Sequence, residues 1–317
     1  MTVSKFIHSK SRITCFLAML IFVISSQKLI DMKAEELRVV VIGDIGFTES
    51  QSSIKKIVVE RIRRQHEKEP FQLGIILGDN VYDFGSKTDD FETLSQIFGS
   101  SFPLNIYHFD FLAVLGNHDY LGDPDTQIQY HLQHEPRFYM PEKNYHYDVK
   151  LANGTKIRFV CVDSTPLYEL FLVNYVKRLN QINILLKLLD DSGGFDYVFL
   201  ILHHNVLRGC GPHRRVPGDA QFTKLITHKY LSAILNGHNH NMQMSGRRLM
   251  HPPVFTVGNS ARVDSVGISE TDDIWCQSPA TGGFGQLTIS NKLANFRFFS
   301  GDGQLLAQAK LDKAQRT

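Results

Sequence analysis

Five apolar runs dominate the first 240 residues, and each ends in the same way. LRVVVI (37–42) stops at Gly43-Asp44, FQLGIIL (71–77) at Gly78-Asp79-Asn80, and FLAVL (111–115) at Gly116-Asn117-His118-Asp119. DYVFLIL (196–202) stops at His203-His204, and YLSAIL (230–235) at Asn236-Gly237-His238-Asn239-His240. Near-continuous apolar runs of this length predict strands buried on both faces. Four of the five break at glycine, and all five then present Asp, Asn or His. Independent turns would draw on Ser, Pro and Lys about as readily.

Helical patterns separate the runs. Over residues 50–68, Ile54, Ile57, Val58 and Ile62 form one apolar stripe. Thr88 followed by Asp89 and Asp90 reads as a helix start, with acid in its first turn. Ser164-Thr165-Pro166 opens a longer helix running toward Gly193. A hairpin over 144–163 turns at Asn153-Gly154, and PPVFTVG, GQLTIS and ANFRFF add antiparallel strands. Strands alternating with helices predict a layered α/β fold. No linker, repeat or low-complexity stretch interrupts the chain, so one domain is expected over 37–311.

The N-terminus lies outside that pattern. Lys5, His8, Lys10 and Arg12 precede the apolar stretch 13–24, and Ser25 and Ser26 follow it. A membrane span needs about 20 apolar residues, so this run reads as a secretory signal peptide covering 1–26. Its removal takes away three basic residues and no acidic ones, moving the formal charge from +2 to −1. Neither value is a field that would gather nucleic acid. The expected product is secreted or lysosomal, with no stable membrane span. Cys161, Cys210 and Cys276 then remain, enough for at most one bridge. Cys161 lies in a strand-like run and reads as a buried apolar residue. Asn153-Gly154-Thr155 is both a turn and a glycosylation sequon.

In α/β sheets, ligands bind beyond the carboxyl ends of the strands. Those ends would gather Asp44, Asp79, Asn117, His118, His203, His204, His238 and His240 at one rim. Carboxylates, an amide oxygen and imidazoles together suit first-row transition metals. The set is too large for one four-coordinate zinc. Two ions about 3.5–4 Å apart, sharing one bridging carboxylate, would use it and could clamp a phosphoryl group. Any one of these residues alone is more ordinarily a turn Asp or a core His; the ordered set is not.

GDIG, GDNVY, GNHD, the histidine after FLIL, and GHNH resemble the five metal motifs of calcineurin-like metallophosphoesterases. The tyrosine of GDNVY narrows the resemblance to purple acid phosphatases. GNHDYLGD, THK before the last of the five strands and GGFG near the end look like the small, animal-type tartrate-resistant group. The resemblance implies a single-domain αββα sandwich with mixed sheets. It implies that Asp44, Tyr82 and His240 hold Fe(III), and that Asn117, His203 and His238 hold a divalent ion (Fe, Zn or Mn). Asp79 would bridge the two, and His118 would be the acid facing the leaving group. Of the adjacent histidines only one can face the metals if the pleat persists; the resemblance selects His203 and leaves His204 behind it.

Departures from the family pattern bear on the rest of the site. The usual Tyr-Pro after the fourth-motif histidine is His204-Asn205, and the His-Gly-Pro-Thr loop is Cys210-Gly211-Pro212-His213. The family's helper histidine is therefore not carried over cleanly, and His213 is equally a replacement for it or an exposed loop residue. GHNH has asparagine where aspartate is common. The loop that represses these enzymes until proteolysis is shortened around 166–180, and the cysteines of the mammalian disulfide are missing. The implied activity is acid hydrolysis of phosphate monoesters by a metal-bound hydroxide. The implied substrates are small phosphate esters or phosphoproteins, acted on by a monomer. Two alternatives stand beside it. A phosphodiesterase or nuclease would commonly carry Asp-x-His in the first motif, and Asp44-Ile45-Gly46 lacks that histidine. A catalytically silent adaptor on the same fold would have lost ligands, and none of the expected ones is missing.

Overall fold

The structure is a computed structural model that describes residues 27–168, 175–246, 251–267 and 274–314. The expected leader, 1–26, lies outside the described residues. The strands are β1 Gln27–Asp31, β2 Glu36–Ile42, β3 Leu73–Ile76, β4 Phe111–Ala113, β5 Phe138–Tyr139, β6 Tyr145–Lys150, β7 Lys156–Cys161 and β8 Tyr197–Ile201. They continue with β9 Ala233–Asn236, β10 Met242–Ser245, β11 Val254–Val257, β12 Ile274–Cys276, β13 Gly283–Ser290, β14 Ala294–Ser300 and β15 Leu305–Leu311. Two mixed sheets result. One has seven strands in the order β15-β14-β13-β2-β3-β4-β5, the other eight in the order β1-β6-β7-β8-β9-β11-β10-β12. The helices are α1 Ser53–Lys68, α2 Phe91–Leu94, α3 Asp125–Gln133, α4 Thr165–Tyr168, α5 Tyr175–Asp190 and α6 Ala220–Ile226. None among the described residues is long and apolar enough to cross a membrane.

The five apolar runs become β2, β3 and β4, parallel neighbours in the seven-stranded sheet, and β8 and β9, parallel neighbours in the other. Side-chain alternation explains why β8 and β9 are apolar throughout. Tyr197, Phe199, Ile201 and Leu235 face the core shared by the two sheets. Val198, Leu200 and Ile234 face the opposite way and pack with Ile182, Leu189 and Phe222 of α5 and α6.

Local readings hold with specific exceptions. In α1, capped by Ser52, Val58, Val59 and Ile62 are buried while Ile57 is 55% exposed. The expected stripe is rotated because a polar residue takes part of the buried face. Lys55 is fully enclosed and its ammonium donates to the carbonyls of Ile45, Phe47 and Ile97 at 3.0, 2.6 and 2.7 Å. Burial pushes its pKa down to about 7. The helix expected after Thr88 starts at Phe91, with Asp90 accepting from Thr93 N at 3.0 Å. The helix expected from Ser164 to Gly193 is present as α4 and α5, with 169–174 outside the described residues. A strand ahead of residue 37, β1, lies parallel to β6. Asn153 sits exposed in the β6–β7 turn, its Oδ1 accepting from Thr155 N at 3.1 Å. Cys210 and Cys276 form a disulfide tying the loop after β8 to β12, and Cys161 is free and buried. Such a bridge fits an oxidising compartment.

Asp163, just after β7, is buried; it accepts from Tyr120 Oη at 2.5 Å and from Thr165 N at 3.2 Å. Burial pushes its carboxyl up from 3.8 to about 7. The folded chain therefore holds this proton over a range where the unfolded chain has lost it. The associated stability is complete below about pH 4 and is lost as pH rises through 7. Calorimetric melting of the wild type from pH 4 to 8 should show this decline, and Asp163→Asn should flatten it. Parallel slopes for the two proteins would contradict the assignment.

Candidate metal centre

The loops after β2, β3 and β4 bring Asp44, Asp79, Tyr82 and Asn117 from one sheet, and those after β8 and β9 bring His203, His238 and His240 from the other. Asp44, Asp79 and His238 have φ of 57°, 51° and 69°, a left-handed backbone that costs energy for any residue with a Cβ. The motif glycines are there for close approach. A Cβ on Gly116 would lie 2.2 Å from Asp79 Oδ1, and one on Gly237 would lie 2.5 Å from Asp44 Oδ2.

Two groups of donors converge. Tyr82 Oη lies 3.1 Å from Asp44 Oδ1, 3.0 Å from Asp79 Oδ2 and 3.1 Å from His240 Nε2. The ligand atoms of Asp44, Asp79 and His240 all fall within 4.8 Å of one another. In the second group His203 Nε2 lies 3.1 Å from Asn117 Oδ1, 3.1 Å from His238 Nδ1 and 3.4 Å from Asp79 Oδ1. Asp79 thus turns one oxygen to each group. The ring orientations are set from behind: His203 Nδ1 donates to Leu77 O at 2.8 Å, and His240 Nδ1 meets Asp264 Oδ2 at 2.6 Å. That leaves each Nε2 facing inward, as a metal ligand requires.

His118 is half-buried at the edge of this cluster. Its backbone N donates to Asp79 Oδ1 at 3.0 Å, and its Nδ1 lies 2.6 Å from Asp83 O. A carbonyl only accepts, so Nδ1 carries a proton and Nε2 is the atom free to exchange one. The neighbouring Asp119 is fully buried and accepts from the N–H groups of Asn80, Val81 and Gly116 at 3.0, 3.1 and 2.8 Å. It locks the second and third motif loops together.

The sequence profile of calcineurin-like phosphoesterases matches residues 37–242. The chain belongs to this family. Within it the chain is distantly related to purple acid phosphatases. It is 24% identical to purple acid phosphatase 17 of Arabidopsis thaliana over 226 residues, 64% of this chain and 62% of that one. It is 23% identical to purple acid phosphatase 7 of the same plant, over 86% of this chain and 85% of the other. The structure superposes on GAP50, the anchor in the inner membrane complex of Plasmodium, with a TM-score of 0.77 at 18% identity, covering 89% and 90% of the two chains. It also matches purple acid phosphatase PPD1 from yellow lupin, with a TM-score of 0.63 at 14% identity, over 88% of this chain and 54% of that one.

The donors of this calcineurin-like phosphoesterase fit a pair of cations. Burial, with Asp44 and Asp79 beside it, holds the Tyr82 phenol protonated well above its ordinary range. Two carboxylates and a phenol aimed at one point repel as anions, and a cation between them reverses that repulsion. Burial and the neighbouring histidines push His238 well below its ordinary range, which keeps the imidazole neutral and its lone pair available. Burial opposes charge on His240, but hydrogen bonding and attraction from Asp44, with Asp264, raise it.

The two remaining histidines both lie against His238 and differ in exposure. His204 is buried beside the donor His238, with ring centroids 4.6 Å apart. Its Nδ1 meets Ser164 Oγ at 2.8 Å and its ring stacks on Tyr168 at 4.4 Å. His213 stays exposed, yet its ring centroid lies 4.2 Å from that of His238. The loop is held there by His213 N donating to Asn239 Oδ1 at 3.0 Å. Sequence reasoning missed Asp264. It lies 24 residues after His240 in an irregular loop, and no local pattern marks it.

Proposed function

We propose that the chain is an acid phosphatase of the secretory pathway, secreted or lysosomal, that hydrolyses phosphate monoesters with an Fe(III)–M(II) pair. The observation that carries this reading is Asp79, whose two oxygens face two separate donor sets, only one of which contains a phenol. A phenolate and two carboxylates are hard anionic donors suited to Fe(III); imidazoles with an amide oxygen suit a divalent ion. When bound, the two ions supply the charge that ionises water near neutrality and holds the phosphoryl oxygens. Asp44, Tyr82 and His240 would hold one ion, Asn117, His203 and His238 would hold the other, and Asp79 would serve both. His118 hands the proton on Nε2 to the departing oxygen, while Asp83 O keeps Nδ1 protonated. Asp264 fixes the His240 tautomer. The Cys210–Cys276 disulfide supports an extracytoplasmic destination. The substrates are small phosphate esters or phosphoproteins.

The GAP50 name describes an anchor. Likeness at 18% identity speaks only of fold. A silent adaptor would have no use for a complete donor set, and this chain keeps one. The phosphodiesterase reading lacks its first-motif histidine, since Gly46 stands there.

Metal analysis with visible spectroscopy tests the proposal. Purified protein should carry about two metal ions per chain, iron among them, and show a charge-transfer band. Tyr82→Phe should bleach that band and retain much of the activity. A colourless, iron-free and fully active wild type would refute the ferric assignment. Protein with both ions and no activity on any monoester would favour the adaptor.

A further inference from the structure

Residues 258–267, after β11, send a second side chain to the rim besides Asp264. Arg262 lays its guanidinium over the face of Tyr82, with Cζ 5.9 Å from the ring centroid. Its Nη1 lies 3.8 Å from Asp83 Oδ1, with the two side chains 41% and 55% exposed. That distance is too long for a hydrogen bond, and an ion pair this exposed contributes little. Among the described residues the guanidinium therefore keeps donors for another acceptor.

Its position says which acceptor. Arg262 and His118 stand on the same two residues. The histidine ring meets the Tyr82 ring edge-on at 4.8 Å and its Nδ1 bonds to the Asp83 carbonyl at 2.6 Å. The arginine covers the same phenol ring and borders the Asp83 carboxylate. An acid that protonates the leaving group must face it, so Arg262 lies on the leaving-group side of the cluster. Of the acids on its own loop, Asp264 is engaged with His240.

We propose that Arg262 determines specificity by binding an anionic group on the leaving group, so that esters with a second negative charge there are preferred over uncharged ones. This rests on the phosphatase reading above. A planar guanidinium suits a carboxylate or phosphate oxygen pair through two parallel hydrogen bonds. A solvent-exposed rim also makes the preference sensitive to salt.

The test uses metal-loaded protein and two aryl esters that differ in one charge, phenyl phosphate and 4-carboxyphenyl phosphate. Wild type should favour the carboxylated ester in kcat/KM. Arg262→Ala should collapse that ratio by roughly 10- to 100-fold, the range for a lost charge-assisted hydrogen bond. Arg262→Lys should fall between, and 0.5 M salt (roughly three times the physiological level) should shrink the wild-type preference. Calorimetric binding of the two corresponding phosphonates, which cannot be hydrolysed, separates this proposal from the activity. A protein that hydrolyses neither ester but still prefers the carboxylated phosphonate through Arg262 would refute the phosphatase reading alone. Equal losses on both esters, an unchanged ratio in Arg262→Ala, or no phosphonate preference in wild type would overturn the role of Arg262.

Discussion

Asp79→Asn is expected to cause the largest loss of any single substitution in the cluster. Its two oxygens stand 3.0 Å from Tyr82 Oη and 3.4 Å from His203 Nε2, so one carboxylate faces both donor sets. An asparagine keeps the shape but removes the negative charge that two cations would share. It also replaces one acceptor with an amide donor, facing either the Tyr82 group or the backbone N–H of His118. A hydrogen bond behind a ligand is worth roughly 10–100-fold in metal affinity, and a shared ligand should exceed that. Bound metal should fall well below two ions per chain, and activity should fall with it. His203→Ala, by contrast, should mainly lose the divalent ion and keep most of the iron. Elemental analysis of the two variants checks this directly. Equal loss of both metals in both proteins would contradict the division of the cluster.

The second large effect is expected at His118. General acid catalysis is typically worth about 10²–10⁴-fold, and the benefit concentrates on poor leaving groups. His118→Asn should fold normally and keep both metals. Its kcat on alkyl phosphates should drop by about that factor, and its kcat on activated aryl esters much less. The pH profile should change shape as well. If metal is lost in proportion to activity, His118 is a ligand or a structural support. If neither changes, it merely finishes the turn after Asn117, a position where substitution ordinarily costs little.

Much of this centre can be read from the chain because its signals are local. A strand buried on both faces must be apolar along its length, and Phe199 and Leu200 show the two faces in use. A residue approaching a carboxylate within 2.2 Å of its own Cβ position must be glycine, and Gly116 records that. The donor types after each strand announce metal chemistry before any of them is placed. Their assembly is not local. Asp44 and His240 come from different sheets and meet within 4.8 Å across 196 residues of chain. Periodicity reports which face of an element is buried, never what covers it. Hence Ile57 was expected inside and lies exposed, while Lys55 sits beneath three carbonyls of two other segments. The same limit hides Asp264 behind His240, His213 over His238 and Arg262 over Tyr82. The sequence by itself determined the family and the strands that carry the motifs, and it named the candidate donors. Only the tertiary structure decided which oxygen of Asp79 faces which donors and which charges surround them, because those distances are set by the packing of two sheets against each other.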